Sequence, residues 1–357
     1  MPISATDSIT LAFEHTKRQL FKPFRFGQWV RLAFVGLLAG ELGSGGNFNP
    51  SRTNQAASLP QLGEIYHKID PAILASLITV LVITGIVLMV VMAYISSVMR
   101  FILFDSVLTS ESHIRAGWSR RQENGWKYFV WQLGLLLATF AGALVLVGGP
   151  AAFAFGMGWF QPPRAHLVQL VLTGVVVFIL FVGFVIGLAL VHVFTKDFIV
   201  PQMAFEGISA LEAWRRLWPM IQAEAKGYAA YIGMKIVLTI VVGIAIGVVT
   251  LILALILALP VIGAVAAALI AGKSAGLTWN LLTISAAVAA GCILFVIFLF
   301  LVSLISVPAI VFFPAYSIYF FAARYQPLSL ALYSSASQSA VPQGASPPLT
   351  PPPYPAM

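Results

Sequence analysis

Five stretches of the chain, 72–99, 128–148, 166–194, 228–259 and 278–307, run for more than twenty residues each in almost unbroken apolar sequence. A helix needs about 20 such residues to cross a hydrocarbon core about 30 Å thick, where every backbone polar group must be satisfied internally. These runs predict an all-α, polytopic membrane helix bundle. Composition agrees, because 60% of the residues are hydrophobic and only 9% are charged. A soluble domain carries roughly 25% charged residues, so this chain lacks the polar surface to cover a water-exposed globule.

A sixth span is expected over 23–42, although Arg25 and Arg31 lie in its first turns. Pro23 suits a first helical position, Trp29 suits the interface, and both arginines can snorkel back to it. Charge placement supports this span. With six crossings the termini share one side with 100–127 and 195–227, and of the 20 lysines and arginines only Arg52, Lys68, Arg164 and Lys273 fall on the other side. Without the sixth crossing that bias vanishes. The positive-inside rule then places both termini in the cytoplasm. The net charge of +8 therefore reads as topology, not as a nucleic-acid footprint. The single cysteine, Cys292, sits in an apolar run and builds neither an internal disulfide nor a multi-cysteine metal site.

The N-terminus does not read as a cleavable signal, since Glu14, Lys17 and Arg18 occupy the place of its apolar region. Residues 4–22 read instead as an amphipathic interfacial helix. Ser4 and Asp7 fit a capping box, and Ile9, Ala12, Phe13, Thr16 and Leu20 form one stripe.

The chain is expected to hold about three repeated units, each an amphipathic elbow followed by a span out and a span back. In the second unit Phe101 and Ile102 lead to Trp118, Arg120 and Arg121, then to Gly125 and Tyr128 opening a span. In the third, Phe198 and Ile199 lead to Trp214, Arg215 and Arg216, then to Gly227 and Tyr228. Pro150 and Pro260 each follow the outgoing span, and Phe312, Phe313 and Pro314 echo Ile199, Val200 and Pro201 in a truncated fourth segment. In the third elbow Ser209 and Glu212 fit a capping box, and Leu211, Trp214, Leu217, Trp218 and Ile221 form an apolar stripe that Pro219 is expected to kink or shorten.

Phe198 to Pro201, Glu206, Gly207, Ala210, Leu211, Ala213 to Arg216 and Trp218 resemble the recurring signature of a bacterial membrane-domain superfamily. Its best-named member is the membrane domain attached to some glycerophosphodiester phosphodiesterases. The clear match covers about forty residues, and Leu217 stands where that family often has a small hydroxyl residue. The resemblance implies a fold and a bacterial inner-membrane location. It does not imply the phosphodiesterase activity, since no such catalytic domain exists in this chain.

The membrane domain is expected over 1–332, followed by a disordered Pro-rich tail over 333–357. That tail holds Pro351, Pro352, Pro353 and Tyr354, which fit a WW-ligand pattern but are explained more simply as solubilising sequence. The exported loop 43–70, rich in Gly, Asn, Ser and Gln, reads as a flexible connection. Gly183 with Gly187, and Gly243 with Gly247, are small-residue pairs expected to let helices approach closely inside the bundle.

Chemistry is sparse. Arg31 and Lys235 lie near the cytoplasmic ends of spans, Glu41 is expected at the outer end of the first, and no midplane charge pair remains for an ion relay. Gly272, Lys273 and Ser274 lack the first glycine of a phosphate loop, with Ala267 in its place. The five histidines fall on different segments, and Asp105, Glu111 and His113 read as a solvated interfacial face. No catalytic residue, cofactor or metal is assigned. The expected role is a non-enzymatic one, in which Trp118, Arg120, Arg121, Trp214, Arg215 and Arg216 engage membrane lipid headgroups or another membrane protein. A transporter or lipid-translocating channel between the repeats is the alternative.

Overall fold

The computed structural model describes residues 4–22, 24–41, 71–109, 114–160, 163–274 and 281–340, and among these every regular element is helical. The order is α1 (Asp7–Phe21), α2 (Phe26–Leu38), α3 (Pro71–Thr109), α4 (Ile114–Ala143), α5 (Gly149–Gly156) and α6 (Leu167–Phe194). It continues with α7 (Val200–Glu206), α8 (Ala210–Ala223), α9 (Ala225–Ser274), α10 (Leu281–Ala322) and α11 (Gln326–Ala340). π-helical turns at Leu144–Gly148 and Thr195–Ile199 join α4 to α5 and α6 to α7.

Among the described residues five stretches are long and apolar enough to cross a membrane: Ile78–Thr109, Ile114–Gly156, Leu167–Glu206, Ala225–Leu259 and Val288–Ala322. The expected sixth crossing is not among them. In its place α2 has 13 residues, about 20 Å at 1.5 Å per residue, which falls well short of the hydrocarbon core. Its N-terminal half is held back by Trp29, whose indole donates to the Leu20 carbonyl at 3.2 Å. Its far end packs in protein, with Leu32, Ala33, Val35 and Gly36 buried against α10 and α3.

The packed core lies at one end of the long helices. Phe101, Phe198, Tyr228, Tyr231, Tyr316, Phe320 and Phe321 are among its largest buried side chains, and they come from the ends of α3, α9 and α10 and from the π turn before α7. Phe198 meets Phe194, Tyr228, Tyr231, Phe320 and Phe321 at ring-centroid distances of 5.7, 5.4, 5.1, 6.0 and 5.1 Å. Both α1 and α11 pack onto this same hub, through Ala12 and Leu20 on one and Leu328 and Leu332 on the other. Beyond it the helices turn large apolar side chains outward along their length, among them Leu81, Phe140, Phe178, Ile244 and Phe295.

The repeat is visible in ring geometry. Phe101 and Tyr128 pack edge to face at 5.8 Å and 90°, and Phe198 and Tyr228 do so at 5.4 Å and 87°. Each pair ties the start of an elbow to the span that leaves it.

Several local expectations are corrected. Pro150 does not end its span, because the π turn before it places proline in the first turn of α5, where no N–H is needed. Helix α9 runs on through residue 260. Pro219 lies inside α8, which continues to Ala223. The inward stripe of α1 is Ser8, Ala12, Thr16, Gln19 and Leu20, with Phe13 turned out, because the helix packs against backbone carbonyls as well as apolar groups. Gln19 donates to the Ser106 carbonyl at 2.9 Å. A Cβ built at Gly183, Gly187 or Gly247 meets open space, so those glycines are not contact points within the chain. Close approaches fall at Gly36, Gly125 and Gly142 instead, against Ile310, Val98 and Phe184. Helix α11 carries ordered structure to Ala340, into the segment expected as tail, while residues 341–357 and the loop 43–70 lie outside the described residues.

Candidate functional site: a buried charge network under the spans

The π turn Thr195–Ile199 determines the site. A π turn widens the helix by one residue, and here it carries Lys196 and Asp197 into the hub just where α6 leaves its apolar stretch. Asp197 is 3% exposed, accepts a hydrogen bond from the Tyr231 hydroxyl at 2.9 Å, and pairs with Lys235 from α9. Lys196 pairs with Glu41, which is 2% exposed just past the end of α2. Arg100, 8% exposed on α3, donates from Nη1 to the Tyr128 hydroxyl and from Nη2 to the Ala39 carbonyl, both at 3.0 Å.

Glu41 is therefore not at the outer end of a span. Because α2 is short, Glu41 reaches the same level as Arg100, Lys196 and Asp197. Lys235 turns inward to Asp197 instead of snorkelling to the interface. A cavity of about 30 Å³ lies among Glu41, Arg100, Lys196 and Asp197, closed by Leu103, Val200, Pro314 and Ser317. The Nε of Arg100 is buried and has no hydrogen-bond partner.

The six residues singled out from sequence divide into two groups. Arg121 is internal. Its Nε and Nη2 bind both oxygens of Asp105 at 2.7 Å, and its Nη1 donates to the Ala204 carbonyl at 2.6 Å, linking the second elbow to the third. Trp118 packs edge to face on Tyr94, and Trp214 donates to the Thr195 hydroxyl at 3.2 Å, so both help to build the hub. Arg216 is half-exposed and pairs with Glu206 and Glu212. Arg120 and Arg215 face outward, Arg215 with only a 4.0 Å approach to Glu212, and Trp218 stands exposed beside them on α8. Asp105 is no solvated face, since Arg121 holds it; Glu111 and His113 lie outside the described residues.

Two further groups close the elbow end. Arg324 clamps Glu224 through two bonds of 2.7 and 2.6 Å, which hold its carboxyl below the usual carboxylate range. His15 sits between the Val107 carbonyl at 2.9 Å and the Tyr319 hydroxyl at 3.2 Å, the geometry of a neutral ring donating from Nε2 and accepting at Nδ1. Burial pushes its pKa below the ordinary histidine value, and Arg18 adds to this, while the Val107 carbonyl and Gln19 favour the charged ring.

The charge network escaped the sequence reading, yet a signal existed. Arg100 and Asp197 occupy the same repeat position, immediately before Phe101-Ile102 and Phe198-Ile199, with opposite charge. Among the described residues no group of three His, Cys, Asp or Glu side chains comes together to hold a metal ion.

The model of a family described as "Family of unknown function (DUF7544)" matches residues 3–331. No curated protein and no solved structure matches the chain.

Proposed function

We propose a role for a chain that belongs to this family of unknown function: a non-enzymatic integral membrane protein whose elbow end engages anionic lipid headgroups. The observation that carries it is the surface of the hub. Exposed cations, Lys17, Arg18, Lys22, Arg120 and Arg215, alternate there with exposed Phe13, Phe21, Phe24 and Trp218, at the foot of helices that turn apolar side chains outward. Aromatic rings and basic side chains share the headgroup level of a bilayer, and each Lys or Arg near an anionic surface contributes about 1 kcal/mol. The membrane in this reading is a bacterial inner membrane with the hub on its cytoplasmic side. The resemblance of the third elbow to the phosphodiesterase-attached membrane domain supports that location.

The test uses Arg120 and Arg215, which carry no internal ion pair of the kind that ties down Arg121. Native mass spectrometry of the gently extracted chain should show retained anionic phospholipid, reduced in the Arg120→Gln/Arg215→Gln double variant. Equal retention in both proteins would overturn the reading, and a retained protein chain in place of lipid would replace it with a membrane partner.

A second reading, transport or lipid translocation between the repeats, gains support from one observation. The buried network of Glu41, Arg100, Lys196, Asp197 and Lys235 supplies the charged groups that the spans lack by sequence. Flux or scrambling by the chain in proteoliposomes, above empty vesicles, would promote it over the first.

A further inference from the structure

The network contains three cations and two carboxylates. Lys196 takes Glu41 and Lys235 takes Asp197, so each lysine has its own partner. Arg100 does not: its two acceptors, the Tyr128 hydroxyl and the Ala39 carbonyl, are both neutral. Its guanidinium is buried, its Nε is unsatisfied, and it lines the cavity that both ion pairs also border. A lysine in this position could shed its proton, but a guanidinium stays charged in proteins. Glu41 and Asp197 act on Arg100 across the cavity, but among the described residues the network keeps one positive charge more than its two carboxylates balance, and a buried excess charge is costly.

We propose that this cavity binds one small monovalent anion of the size of chloride, held by Arg100 with Lys196 beside it. A water molecule there would satisfy Nε but leave the charge unbalanced. A lipid phosphate is excluded by size, because about 30 Å³ admits one or two water-sized species. The π turn gives a reason for the placement. By putting Lys196 and Asp197 on neighbouring positions that face different partners, it commits Glu41 to Lys196 and Asp197 to Lys235, so that both carboxylates border the cavity but neither bonds to Arg100. This site is separate from the headgroup surface, and its test does not depend on that reading.

The test is thermal unfolding of the full-length protein in detergent, titrated with sodium chloride and, at matched ionic strength, with sodium gluconate. Chloride should raise the midpoint saturably by a few degrees, with bromide acting similarly and gluconate having no effect. Arg100→Gln keeps a donor for one acceptor but balances the charge, and it should lose the chloride response while gluconate leaves it near the wild-type midpoint. If that variant fails to fold, Ser317→Leu fills the cavity without replacing a member of either ion pair, and should also lose the response. Equal midpoints of the wild type in chloride and gluconate would overturn the proposal, as would a chloride response that survives in Ser317→Leu.

Discussion

Arg120 and Arg121 are neighbours with opposite fates, and the difference decides what mutation does at each. Arg121 binds Asp105 through two bonds and reaches the Ala204 carbonyl with a third. Replacing it by methionine strands a mostly buried carboxylate, so a loss of about 3 kcal/mol of stability is expected, read as a lowered unfolding midpoint. Arg120→Gln, on the exposed side, should stay within about 0.5 kcal/mol of the wild type. His15 makes a pH prediction of the same kind. Its folded pKa is lowered, so the folded chain resists a proton that the unfolded chain accepts. Stability from this group is therefore complete above the unfolded value of about 6.5 and falls as pH drops below it. Midpoints compared at about pH 7.5 and about pH 5.5 should diverge more in the wild type than in His15→Gln. Sequence alone identified the arginine pairs as important but could not tell the partnered member from the exposed one. That distinction rests on Asp105, sixteen residues earlier and one helix away.

Helices differ in how far local sequence dictates them. The five long spans follow from the apolar runs, because length and hydropathy are properties of a continuous segment. So does the start of α8, where Ser209 accepts the Glu212 N–H at 3.3 Å as its capping pattern requires. The end of α2 does not follow, since what stops it is tertiary: the Ala39 carbonyl is taken by Arg100 and Glu41 by Lys196. Glycine contacts were equally illegible. Gly183, Gly187 and Gly247 of the GxxxG spacings lie on open faces, whereas Gly125 sits against Val98 with room for no Cβ, which would lie 2.5 Å from its Cγ2. Gly125→Ala should therefore cost about 1–3 kcal/mol through overpacking. Gly183→Ala should cost nothing and gain up to about 1 kcal/mol from helix propensity. Thermal melts of the two variants side by side check both signs.

At the scale of the molecule, stability is concentrated in the hub. Phe198 touches five aromatic rings, drawn from three different segments, and its truncation to alanine should cost about 3–5 kcal/mol and lower one cooperative transition. Phe178, 67% exposed on α6, faces outward, and Phe178→Ala should leave the melting of detergent-solubilised protein within about 0.5 kcal/mol of the wild type. The arrangement also sets an order for the protein's biosynthesis. Helix α1 is made well before α10, yet its partners include the last turns of that helix, where Tyr319 meets His15. At about 5–20 residues per second, the roughly 300 residues between them take on the order of 15–60 s to synthesise. Throughout that interval the earlier spans are already emerging while the surface that will bury α1 does not yet exist. The newborn helix α1 must wait at the membrane, beside the ribosome, for a partner about 300 residues behind it.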